Sequence, residues 1–392
     1  MKKNRMKKFT KVLGAMTFSV SLICCYAIVN SWAALSISGV QGTIVDGGIV
    51  TISGSDFGSA GPNIALFDDF EKGKNGSIIN TSKGSAQVNQ WYLLDSIVSK
   101  RPKYSTTYAH SGSKSALIDG STDNASEGGR WFEADIGTVT SQVYVQYWLY
   151  VPAGGYVPGA GGPYGGNWKT VLISGRPWPA SDFTQVLLGN DFPYAGWGFI
   201  CGGFWYKEAG LSRMTAATGG YHDPGYCSLN IAKGTWHRLE VFIVGSTSGD
   251  GYMYTAEVSA NQPWRIVGSI SNATTLHSGD TWNLVRFPGY VRGDALSKVY
   301  YDDIYIATGT AARARVEIGN KAIYTKCTNL AVITPISWSS TSITATVSQG
   351  SFQAGQTAYL FVVDSTGSVS TGYPINIGGV GDKTATSSSS GS

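Results

Sequence analysis

Residues 299–320, VYYDDIYIATGTAARARVEIGN, constrain the fold more than any other stretch. Positions 299–307 alternate as a strand does, with Tyr301, Asp303 and Tyr305 on one side and Asp302, Ile304 and Ile306 on the other. After a short Thr/Gly/Ala link, 314–318 begin a second strand. The stretch reads as a seam, where a large β-domain ends and a small one resumes.

With 392 residues, 51 Gly, 22 Tyr, 12 Trp and 14% charged residues, the chain has room for two domains and is too apolar and aromatic for disorder. Short strands punctuated by glycine, with few long amphipathic stretches, predict an all-β protein. The first residues differ. Lys2, Lys3, Arg5, Lys7, Lys8 and Lys11 precede an apolar run over 12–29, and Ser31-Trp32-Ala33 supplies small residues at the −3 and −1 positions. This predicts a secretory signal cut after Ala33 or Ala34, and a secreted or cell-surface location. The whole chain carries 29 basic and 25 acidic residues; without the six leader cations the balance is 23 against 25. No basic stripe follows, so nucleic acid is not an expected partner.

Residues 35–66, LSISGVQGTIVDGGIVTISGSDFGSAGPNIAL, read as a short strand, a turn at Asp46-Gly47-Gly48 and a strand over 49–53. Past the seam, Trp338 and the alternating Ile343, Ala345 and Val347 are what a small sandwich core buries. Asp364-Ser365-Thr366-Gly367 reads as a hairpin turn. The pattern I-S-G…G-x-x-V-T-I-S-G-S-D-F-G resembles the opening of an IPT/TIG immunoglobulin-like domain, and ARVEIGN, ISWSSTSITATV and TAYLFVVDSTGSVSTGYPINI resemble its closing strands. The resemblance implies one small sandwich split by an insertion of roughly 240 residues, large enough for its own core. Its rival is a pair of separate Ig-like modules around a middle domain. Between LFDDFE and VYYDDIYI, the segments GSKSALIDG, VYVQYWLYV, NWKTVLISG, GTWHRLEVFIV, GYMYTAEVS, QPWRIVGSI and TWNLVRFPGYV resemble, in that order, a concanavalin-A/laminin-G-like jelly roll. The expected division is a signal peptide at 1–33, sandwich at 34–66, jelly roll at 67–308, the rest of the sandwich at 309–377, and a flexible Gly/Ser/Thr-rich tail at 378–392.

Asp68, Asp69, Glu71, Asp302 and Asp303 stand at the two ends of the insert and converge if its first and last strands pair. Hard oxygen ligands at close range suit Ca²⁺, so Asp69, Glu71, Asp302 and Asp303 are the candidate metal ligands. Glu133-Ala134-Asp135 resembles the start of the Glu-x-Asp-x-x-Glu strand of laminarinase-type glucanases, but Thr138 holds the third place and the acid partner is missing. A lyase needs a base for the C5 proton and a cation for the uronate. Tyr221, His222, His237, Arg238, Arg286 and Arg292 are candidate parts, with His237 tucked at a core edge beside Leu239, Val241 and Ile243. Cys201 and Cys227 bracket a Gly-rich aromatic loop and are expected to bond, leaving Cys327 free.

Aromatic residues give the ligand signal. Val143, Val145, Tyr147, Leu149 and Val151 make a core face, which leaves Tyr144, Gln146, Trp148 and Tyr150 outward. Loops add Tyr164, Trp168, Arg176, Trp178, Tyr194, Trp197, Trp205 and Tyr206; Trp131, Trp236 and Trp282 are assigned to packing. Flat rings stack on sugar faces while Gln and Arg bond hydroxyls. The reading is a secreted, non-catalytic polysaccharide-binding or adhesion protein whose partner is a polysaccharide or cell-surface glycan. The alternatives are a polysaccharide lyase or glycoside hydrolase on the jelly roll, and a structural surface protein with no sugar site.

Overall fold

A computed structural model describes residues 34–120, 130–154, 167–176, 185–190, 200–208, 211–216, 231–276, 278–288, 290–292 and 298–381, without side chains for 167–169, 185–216 and 290–292. The protein is all-β, and the described strands form three sheets. The signal-peptide expectation at 1–33 lies outside the described residues. Among them, no helix is long and apolar enough to cross a membrane.

Sheet one has seven strands in the order Ser36–Gly42, Ile49–Ser55, Ser342–Thr346, Leu330–Trp338, Arg315–Gly319, Thr357–Val363 and Tyr373–Asn376. Chain segments on both sides of residues 67–308 therefore pair directly: Val50 lies opposite Ala345, and Ile52 opposite Ile343. Leu330–Trp338 pairs with Arg315–Gly319 through its first half and with Ser342–Thr346 through its second. The register breaks between Pro335 and Ser337, at a residue with no N–H to give a ladder. The sheet closes around Val40, Val50, Ile52, Phe57, Val316, Ile318, Ile333, Ile343, Ala345 and Leu360. Trp338 packs on its margin and donates its indole N–H to the Phe57 carbonyl at 3.0 Å. Asp364 makes its turn by accepting the N–H groups of Thr366 and Ser368 on Oδ1. Part of the expected tail is fixed: Gly378 and Gly381 donate to the Ile44 and Gly42 carbonyls. Residues 382–392 lie outside the described residues.

Sheets two and three face each other as a jelly-roll-type sandwich. Sheet two runs Leu211–Ala216, Ile200–Glu208, Gln185–Asn190, Asn167–Ser174, Trp282–Phe287, Phe132–Val139, Leu93–Leu94. Sheet three runs Gln262–Ala273, Gly251–Ser259, Trp236–Val244, Gln142–Tyr150, Lys298–Thr308, Ser115–Asp119, Lys103–Ser105, with Asn63–Asp68 on the flank of Lys298–Thr308. Phe132, Ala134, Val285 and Phe287 of sheet two meet Val143, Val145, Tyr147, Leu149, Leu239 and Val241 of sheet three, with Trp91 and Trp282 closing the core.

The strand at the seam departs from simple alternation. Tyr301 and Ile304 both enter the core between the sheets, whereas Tyr305 and Ala307 face the other way. A bulge between Asp302 and Tyr305 inserts the extra residue, and Asp303 takes the left-handed conformation at φ +46°. The expected grouping of Tyr301 with Tyr305 is therefore corrected, because the bulge changes the phase of the period-two pattern.

The expected outward face of 143–151 is also corrected. Tyr144, Gln146 and Trp148 are buried. Tyr144 packs with Phe67, Phe242, Tyr254, Tyr305 and Val332, and Trp148 with Val258, Tyr324, Cys327, Leu330 and Phe361. Residues of the smaller sandwich cover this face of sheet three. Each such ring contributes on the order of 2 kcal/mol through burial.

Four charges are buried in the same interface. Arg238 pairs with Glu317 and, at 2.9 Å, with Glu240. Arg315 Nε donates to Glu317 Oε2 at 3.0 Å and lies 3.8 Å from Glu240. Tyr324 donates to Glu317 at 2.6 Å, and Trp264 to Glu240 at 3.0 Å. Burial alone would raise the Glu317 pKa, but Arg238 and Arg315 outweigh it and hold the carboxyl below its ordinary range. Arg238 is thus committed to joining the sandwiches and is not available to a uronate.

Candidate functional site

The outer face of sheet two is built by alternation. Phe132, Ala134 and Ile136 point into the core, so Glu133 and Asp135 point out. Arg286 lies opposite Glu133 on the neighbouring strand and donates Nε and Nη2 to Glu133 Oε2 at 3.1 and 2.7 Å. Its guanidinium covers the Trp131 ring at 3.9 Å. Burial lowers the Arg286 pKa, against the pull of Glu133.

Arg176, just past Asn167–Ser174, repeats the arrangement. It lies 4.0 Å over the ring of Tyr92, which is 44% exposed. Arg176 Nη1 donates to Asp135 Oδ2 at 3.0 Å, and Nη2 stands 3.6 Å from Glu133 Oε1. Its Nε and Nη2 are buried and have no hydrogen-bond partner among the described residues. Ser174 Oγ, on the adjoining strand, is likewise unpartnered there. Two Arg–aromatic pairs thus stand side by side, with spare donors on one. Both carboxylates between them are ion-paired, Glu133 with Arg286 and Asp135 with Arg176.

The acids at the ends of the insert do come together, but their oxygens go to N–H and O–H donors. Glu71 accepts from the backbone and hydroxyl of Ser113 and from Lys114 N and Nζ. Asp69 accepts from Glu71 N and Gln87. Asp302 accepts the N–H groups of His110, Ser111 and Asp303, while Asp303 binds His110 and the Ser111 hydroxyl. Burial, then the neighbouring Asp303 charge, raise Asp302 well above the usual carboxylate range. Among the described residues no group of three or more His, Cys, Asp or Glu is arranged to hold a metal ion. Asp68 is separately engaged, accepting from Phe70 N and the Trp91 indole; burial pushes its pKa up to about 7.

The remaining sequence candidates divide clearly. Tyr150 is half-buried and packs against Tyr108, Tyr300 and Trp236. His237 is buried at the core edge, with Nε2 accepting from Ala232 N, and burial lowers its pKa to about 4. The side chains of Tyr164, Trp168, Trp178, Tyr194, Trp197, Trp205, Tyr206, Tyr221, His222 and Arg292 lie outside the described residues, as do those of Cys201 and Cys227. Cys327 is free and buried. Sequence reasoning missed Tyr92. The signal was its position next to Trp91, since alternation puts one ring in the core and the other outside.

No family model matches the chain, and no curated protein does. The IPT/TIG likeness therefore stands on the quoted residues alone. Solved structures similar to this chain include an endo-β-1,4-glucuronan lyase from the fungus Trichoderma reesei, at 12% identity and TM-score 0.39 over 64% of this chain and 98% of that one. The alginate lyase Aly36B in complex with an alginate trisaccharide is similar at 14% identity and TM-score 0.39, over 64% and 100%. A GH131 β-glucanase catalytic domain from Podospora anserina shares 14% identity at TM-score 0.34, over 68% and 100%.

Proposed function

We propose that this chain recognises an acidic polysaccharide along the outer face of sheet two. The observation that carries the reading is Arg176: a guanidinium stacked on the exposed Tyr92 ring, with two buried nitrogens that have no hydrogen-bond partner among the described residues. A planar guanidinium matches a carboxylate fork, and a flat ring matches a sugar face; a uronate presents both. Trp131, beneath the Arg286 guanidinium, places a second ring on the same face.

Lyase action is the second reading, and the closeness of Tyr92 to Arg176 favours it. Arg176 would neutralise the uronate carboxylate. As the phenolate, Tyr92 would take the C5 proton and, once protonated, hand that proton to the departing O4 as the C4–O bond breaks, leaving a C4–C5 double bond. Affinity electrophoresis across uronate-rich and neutral polysaccharides tests recognition, and absorbance of unsaturated uronate products tests cleavage. The wild type should be retarded on uronates, and Arg176→Ala should bind about 10- to 100-fold more weakly while staying folded. Unretarded migration on every glycan would sink the reading. Unsaturated products would decide for the lyase.

A further inference from the structure

We propose that Ser351, His110 and Asp303, brought together where the two sandwiches meet, form a second active site that hydrolyses short-chain carboxylic esters. The proposal does not depend on the glycan reading. His110 Nδ1 lies 2.8 Å from Asp303 Oδ2, and Nε2 lies 3.4 Å from Ser351 Oγ. The order hydroxyl, imidazole, buried carboxylate is the triad logic of nucleophilic acyl transfer. A separation of 3.4 Å is longer than an engaged pair, as is common before substrate is bound.

The surroundings hold each group in its role. With Nδ1 donating to Asp303 Oδ2, His110 presents Nε2 to Ser351 as the acceptor. The ring is stacked on Trp148 at 3.6 Å, with Trp236 at 5.9 Å. Asp302 fixes the loop by accepting the His110 and Ser111 N–H groups, and the Ser111 hydroxyl donates to the second Asp303 oxygen at 2.7 Å. Asn329 Nδ2 donates to Ser351 Oγ at 2.9 Å, which leaves the serine proton free to go to His110. Ser351 follows Gly350 at φ +57°, where a Cβ would come within 2.6 Å of Ala331 Cβ. Asp303 keeps its left-handed φ of +46° in the strand that carries it, a strain found more often at functional sites than elsewhere. Ser351 is half-buried and the His110 side chain is 7% exposed, so little of the pair is open to solvent and the substrate proposed is an ester of a short acyl group.

The chemistry balances with water as co-reactant. Ser351 Oγ bonds to the ester carbonyl carbon as its proton passes to His110 Nε2. The carbon–alkoxy bond then breaks, and the alcohol leaves with that proton. Water attacks the acyl-serine, gives a proton to His110 and releases the acid, and the proton returns to Oγ. Asn329 Nδ2 is the neighbouring donor able to stabilise charge on the acyl oxygen.

The test uses the full chain with an alkyl fluorophosphonate, followed by peptide mass mapping, and with p-nitrophenyl acetate. We expect a phosphonylated Ser351 in the wild type and none in Ser351→Ala. His110→Gln should slow both labelling and hydrolysis about a hundredfold or more. Thermal unfolding confirms that each variant is folded. A folded wild type left unlabelled at Ser351, or labelled only elsewhere, would overturn the proposal without reference to any variant. A hydrolysis rate equal to that of Ser351→Ala would do the same.

Discussion

Glu317 shows how much one side chain can decide here. It is fully buried, yet two arginines and a tyrosine satisfy it. Removing one partner of such a network leaves charge stranded in a dry interface, at a cost of about 3–5 kcal/mol. Glu317→Ala should lower stability by that amount in denaturant titration, against less than about 1 kcal/mol for an exposed pair such as Lys298–Asp119. Asp68 makes a pH prediction. Its pKa rises from an ordinary 3.8 to about 7, so its contribution to stability is complete below about pH 4 and is lost as pH rises through about 7. His237 works in the opposite direction: lowered to about 4, it costs stability as pH falls from 6.5 through that value. The difference between wild type and Asp68→Asn isolates the first effect. The variant should lose one hydrogen bond throughout and show a weaker decline toward neutral pH; identical pH slopes would refute the assignment. Little of this was legible in TWHRLEVFIV. Alternation there does put Arg238 and Glu240 opposite Leu239 and Val241, but not what lies on that side.

At the scale of elements, the readable features were those that follow from a local period. Val143, Val145, Tyr147 and Leu149 line the core as the pattern requires, and Ile343, Ala345 and Val347 do so in the smaller sandwich. The bulge at Asp302–Asp303 was not readable, because two adjacent aspartates fit an unbroken alternation as well as a broken one. The covering of 143–151 was hidden for a different reason: it is made by residues some 180 positions away in sequence, and a period reports which residues share a face, not what lies against it. The pairing of Ile49–Ser55 with Ser342–Thr346 carries its own prediction. Amides of Val50, Ile52 and Ile343 should exchange with deuterium in one slow class, at the free energy of global unfolding. Fast exchange in the first segment alone would show that it is an appendage and not a structural strand.

At the scale of the whole molecule, the apolar and ionic interface couples the sandwiches, and the outer face of sheet two carries Arg176 with two nitrogens lacking a hydrogen-bond partner among the described residues. Thermal unfolding should show one transition in the wild type, and Arg238→Ala should resolve it into two by uncoupling the cores. Calorimetry reads this directly. The glycan face itself is best tested by hydroxyl-radical footprinting with and without a saturating uronate oligosaccharide, which needs no variant. Tyr92 and Trp131 should be protected from oxidation, while Tyr108 and Trp236, on the sheet-three side, should oxidise as before. Protection confined to Tyr108 and Trp236, or none at Tyr92 and Trp131, would contradict the assignment of ligand recognition to sheet two.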